Sequence, residues 1–159
     1  MNSLKRCFFT FSLIVAISNV SVFAAGKLEI NDAWIRSAPP NAMMLAGYAT
    51  LHNAGDAAIT INAVTAEGFA DTSLHETVMV GDVSQMRSMG DLVIAPGASV
   101  AFAPGGKHIM LMQRIESSNR RPHVAITFSF AGGGKQSADF AIRHATPTDE
   151  TAMPVTHDH

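Results

Sequence analysis

Cysteine is nearly absent from this sequence. The single one, Cys7, lies in a mostly apolar stretch, Cys7 to Val22, preceded by Lys5 and Arg6. Val22-Phe23-Ala24 places small residues at the two positions a signal peptidase inspects, so residues 1–24 read as an export signal cleaved after Ala24, and the expected location is the periplasm. Cys7 lacks the small residues just before it that a lipoprotein cleavage site shows. The exported part is then thiol-free, which excludes disulfides and every centre built on thiolate: zinc-thiolate, iron-sulfur and blue copper.

Long apolar runs are missing as well. Ser12, Ser18 and Asn19 interrupt the leading one, which falls short of the roughly 20 clean apolar residues of a spanning helix, and no later segment comes near that length. Stable membrane insertion is not expected. Nor is there an excess of positive charge: taking Lys5 and Arg6 from the 11 Lys+Arg leaves 9 against 13 Asp+Glu, a formal charge of −4. That balance points away from nucleic acid and anionic membranes as partners.

Helical periodicity is the last absence. From Lys27 to Arg143 short apolar runs alternate with turn residues, and no stretch of period 3.6 is long enough to count as a helix. The period is two instead. Val124, Ile126, Phe128 and Phe130 alternate with His123, Ala125, Thr127 and Ser129, giving a strand one face to bury and one to leave wet. Ile59 and Ile61, Val100 and Phe102, and Ala138, Phe140 and Ile142 repeat the pattern. Turn chemistry falls at Pro39-Pro40, Asn53 to Asp56, Gly81-Asp82, Pro96-Gly97, Pro104 to Gly106, Ser117 to Asn119 and Gly132 to Gly134. This spacing predicts about seven to nine strands, hence an all-β sandwich or small Greek-key barrel. Residues 25–144 read as one domain, and 145–159, with no periodicity, as a flexible tail ending His157-Asp158-His159.

Within this frame two imidazoles and two thioethers stand out: His75, Met86, His108 and Met110, spaced His-x10-Met-x21-His-x-Met. Thioether sulfur is soft and uncharged, favouring cuprous copper over zinc, calcium or magnesium, and imidazole accepts copper in either oxidation state. On an extended run His108 and Met110 share a face while Ile109 and Leu111 enter the core. A hairpin closing at Gly81-Asp82 would return Met86 alongside the strand that begins near His75. Met112 continues the face of Met110 but reads as core filler. Met79 and Met89 flank the hairpin, where they would form a sulfur-rich collar around the metal. Met43 and Met44 follow the Pro39-Pro40 loop without an assigned role. His52, His123, His144 and Trp34 read as ordinary polar or packing residues. In the tail Met153, His157 and His159 offer a weak second site, its nitrogen and oxygen donors suited to Cu(II).

The four-residue spacing resembles that of the periplasmic copper chaperones of the PCuAC family, and the sequence reproduces it at His75, Met86, His108 and Met110. Trp34-Ile35-Arg36, Ala46-Gly47-Tyr48, Asn53 to Asp56 and Gly105 to Leu111 are similar to that family too, so the resemblance covers Leu28 to Arg143. It implies a cupredoxin-like β-sandwich binding one Cu(I). It further implies delivery to an acceptor, cytochrome c oxidase subunit II with its dinuclear copper centre or another assembly chaperone, without catalysis. Two rival readings are a metal-free β-sandwich interaction module and a copper storage or detoxification protein. A zinc hydrolase is disfavoured, since Glu76 and Asp82 show no H-E-x-x-H or comparable spacing.

Overall fold

Alternating apolar and polar residues produce ten strands in the computed structural model, which describes residues 27–39, 42–115 and 122–144. The export signal, the Ser117 to Asn119 turn and the tail lie outside the described residues. The strands are β1 (Leu28–Arg36), β2 (Met44–Asn53), β3 (Ile59–Ala66), β4 (Phe69–Val80) and β5 (Val83–Ser88), then β6 (Leu92–Ile94), β7 (Ser99–Phe102), β8 (Lys107–Arg114), β9 (His123–Phe130) and β10 (Lys135–Arg143). Two breaks fall outside the turns expected from the sequence. The chain reverses at Glu67-Gly68, where Gly68 takes φ 81°, and Met89 to Asp91 separates β5 from β6. Glu67-Gly68 carries only a single turn residue, whereas Gly90-Asp91 repeats the dipeptide of the Gly81-Asp82 turn.

Hydrogen bonding runs in the order β5-β4-β8-β2-β1-β10-β9-β3-β6, with β7 on the far half of β2. The pairs are antiparallel except β1 with β10, where Ile35 lies beside Ile142. This one path wraps around a single apolar cluster to which every strand but β5 contributes, so the sheet covers its own inner face as a β-sandwich. Ile35, Leu51, Ile61, Ile109, Leu111, Ile126, Phe128 and Phe140 are at or near zero exposure. Each supplies roughly 1.5–3 kcal/mol of burial free energy.

Two features set which residues face outward on the β5-β4-β8-β2 side. Asp32, at φ 50°, sits where the β1–β2 register slips between Asn31 and Trp34. The extra residue of this bulge switches the inward set from Leu28 and Ile30 to Ile35. Trp34 therefore turns outward against Tyr48, their ring centroids 4.7 Å apart. The second feature is β5 itself. All six of its residues are exposed, so it adds no core and serves to extend the outer face beyond β4.

Candidate metal centre

β4 and β8 run antiparallel with His75 directly opposite His108. The ring centroids are 5.9 Å apart with 28° between the planes. Because side chains repeat on one face every second residue, Ser73, Thr77 and Met79 share the face of His75, and Met110 and Met112 share that of His108. The hairpin at Gly81-Asp82 brings in the fourth residue. Val80 pairs with Val83 across a two-residue loop whose first position, Gly81, has φ 61°, as a II′ turn requires. That register sets Met86 opposite Thr77, diagonal to His75 and on the same face. All four candidates thus lie on one outer face spanning β5, β4 and β8.

The turn before β8 fixes one imidazole. Pro104-Gly105, with Gly105 at φ 78° and Gly106 N–H donating to Ala103 O at 3.0 Å, closes the β7–β8 connection. Gly106 O then accepts from Thr77 N–H at 3.2 Å and from His108 Nδ1 at 3.1 Å. A carbonyl can only accept, so His108 Nδ1 carries the proton and Nε2 keeps its lone pair. On the other ring, His75 Nε2 lies 3.0 Å from Ser73 Oγ.

The two remaining ring nitrogens, His75 Nδ1 and His108 Nε2, are buried and have no hydrogen-bond partner. Buried polar atoms without partners are rare and ask for a reason. A metal ion is one. Burial first, and then the neighbouring His108, lower the pKa of His75, partly offset by Asp71. The ring is thereby held neutral, as a ligand must be. Lys107 and Glu76, an ion pair at 3.8 Å one residue along each strand, support the same register. Both are over a third exposed, so this pair adds less than about 1 kcal/mol.

A pocket of about 250 Å³ opens beside the set, lined by Met86, His108 and Met110 together with Met44, Ala46 and Tyr48 among others. Met112 corrects one expectation: it lies on the outer face opposite Met44 and Asp71, not in the core. Met89 corrects another. It packs against the core, its N–H bonded to Leu74 O, and takes no part in a sulfur collar, whereas Met79 does sit on the ligand face at the hairpin tip. His52 and His144 pair with Ser99 and Ser37 at 2.9 and 2.8 Å, and His123 is exposed. Met153, His157 and His159 lie outside the described residues. Among the described residues, no three His, Cys, Asp or Glu converge as a zinc hydrolase would need.

A β-sandwich with this strand arrangement is the fold of PCuAC domains. The chain superimposes on the "Apo PCuAC domain from PmoF1" with TM-score 0.60 at 23% identity, covering 76% of this chain and 96% of that one. The "Copper-bound PCuAC domain from PmoF2" gives TM-score 0.60 at 21% identity over 77% and 97%. Residues 28–142 match the family described as "Putative lipoprotein LpqE-like", and the chain belongs to this LpqE-like family. It is also 24% identical over 127 residues, 79% of this chain and 75% of the other, to "Putative lipoprotein Lxx21020" of Leifsonia xyli subsp. xyli.

Proposed function

We propose that this protein is an exported copper chaperone that carries one Cu(I) on His75, Met86, His108 and Met110 and passes it to an acceptor protein. The observation that carries the reading is the pair of orphaned imidazole nitrogens, one on each of two facing strands, on the surface that also presents both thioethers. A centroid spacing of 5.9 Å suits one ion bonded to a nitrogen of each ring at about 2 Å. Two neutral nitrogens and two neutral sulfurs suit a soft monovalent ion and leave its charge unneutralised, so an acceptor thiolate can draw it away by stepwise ligand exchange. One site per domain fits transfer better than storage, and no role in the reading calls for catalysis.

Cytochrome c oxidase subunit II is the acceptor the family resemblance suggests. A weak Cu(II) site at Met153, His157 and His159 belongs to the same reading. Export rests on the leader, Lys5-Arg6 followed by an apolar run. The two lipoprotein descriptions concern the relatives; here Cys7 follows Lys5-Arg6, not small residues. No helix among the described residues is long and apolar enough to cross a membrane.

Cu(I) titration of the purified protein under reducing conditions, against a competing chelator, tests the site. One equivalent should bind, with sulfur and nitrogen scatterers in the X-ray absorption spectrum. His75→Ala and Met110→Ala should each weaken binding more than about 100-fold, since losing even an outer-shell partner costs 10–100-fold. Failure of the wild-type protein to retain Cu(I) would end the proposal.

A further inference from the structure

The pocket beside the four-residue site contains a thioether that the spacing motif does not include. β2 lies next to β8 with Ala46 opposite Met110 and Met44 opposite Met112, so Met44 and Ala46 share the face of the ligands. Met44, Met86, His108 and Met110 all line the pocket, and His75 does not. Open space therefore runs across the site from Thr77 and Met86 on β4 and β5 to Met44 on β2, so the β2 end of the pocket lies beyond the four-residue set. Ala46, the small side chain opposite Met110, lines this space too.

Met44 is 56% exposed and Met86 55%. A single exposed methionine means nothing on a protein surface, but two that line one pocket with a third thioether and an imidazole form a local chemistry. The other outer-face methionines do not share it: neither Met79 nor Met112 lines the pocket. Exposure also means that the Met44 thioether is not committed to the core and can swing on its unbranched side chain.

We infer that Met44 is an entry and exit ligand, a third thioether that takes Cu(I) from a donor, or hands it to an acceptor, on the β2 side of the pocket. This rests on the copper reading of His75, Met86, His108 and Met110. The step is ligand exchange alone: a Cu–S bond to Met44 forms as a bond to one of the four resident ligands breaks, copper stays Cu(I), and no proton moves because both partners are neutral. Carrying the ion toward the open side lets an acceptor sulfur attack before the resident set has let go.

The test is methyl NMR of the purified protein labelled with 13C at the methionine methyls, titrated anaerobically with the acetonitrile complex of Cu(I) to one equivalent. Met86, Met110 and Met44 should shift, and Met79 and Met112 should stay. Met44→Leu keeps the apolar volume and loses the sulfur. It should leave the equilibrium Cu(I) affinity within about threefold of wild type but slow copper withdrawal by a small chelator about tenfold, equivalent to roughly 1.4 kcal/mol on the barrier. A stationary Met44 signal while Met86 and Met110 move, or an unchanged withdrawal rate in Met44→Leu, overturns the inference alone. If none of these methyls moves, the underlying copper site falls with it.

Discussion

Ile109 and Leu111 on β8 are wholly buried, while Met110 between them is partly exposed and faces the other way with His108 and Met112. The two faces of this one strand are held by different physics. Inward residues are fixed by area removed from water, which any apolar side chain of the right shape supplies. Outward residues can be covered too, as His108 is, but their identity matters through the lone pairs they present. Stability and metal affinity should therefore separate along β8 residue by residue.

Leu111→Ala and Met110→Leu are the sharpest way to break that separation. Removing Leu111 should cost about 2–5 kcal/mol in chemical denaturation, the range for buried leucines, with Cu(I) affinity of the folded fraction near wild type. Met110→Leu, a volume-conserving swap, should cost less than about 1.5 kcal/mol yet lose copper more than about 100-fold, as for other ligand losses. If Met110→Leu proved the more destabilising of the two, the outer face would be structural.

The contrast also shows what the sequence could carry. Period two along Ile109, Met110 and Leu111 was enough to assign faces, and the Gly81-Asp82 pair was enough to return Met86 alongside the strand that carries His75. Both are local rules. That β4 pairs with β8 so that His75 meets His108, and that β2 lies beyond β8 so that Met44 meets the pocket, depends on strand order across the whole chain. Period two cannot supply that order. The outward turn of Trp34 hangs on one extra residue at Asp32, which alternation read alone would not reveal. Met112 was misplaced for a related reason, since methionine serves equally as core filler and as surface ligand.

A smaller effect concerns the partner of His75. Binding through Nδ1 requires the proton on Nε2, which then donates to Ser73 Oγ at 3.0 Å. Ser73→Ala removes that acceptor and leaves the ring free to turn or change tautomer. Cu(I) affinity should fall about tenfold, the low end for outer-shell partners. Ser73→Thr, which keeps the hydroxyl, should restore most of it. Equal loss in the alanine and threonine variants would assign the effect to packing on β4 instead of to the hydrogen bond.

The smallest effect is on the metal-free protein and sharpens the comparison from the outer face. His75 has a pKa below its ordinary value of about 6.5, lowered by burial and then by His108 against a small opposing pull from Asp71. The unfolded chain therefore takes up this proton before the folded one does. Stability from this group is whole above the ordinary value, is lost as pH falls from there through the lowered folded value, and drops no further below it. Urea midpoints measured from neutral pH to pH 5 should fall less steeply in His75→Gln than in wild type. The same lowering keeps the Nδ1 lone pair available to copper at a more acid pH than a free histidine would allow. Parallel profiles for the two proteins would show that His75 does not titrate differently on folding, and that its orphaned nitrogen is better solvated than the closed face between β4 and β8 implies.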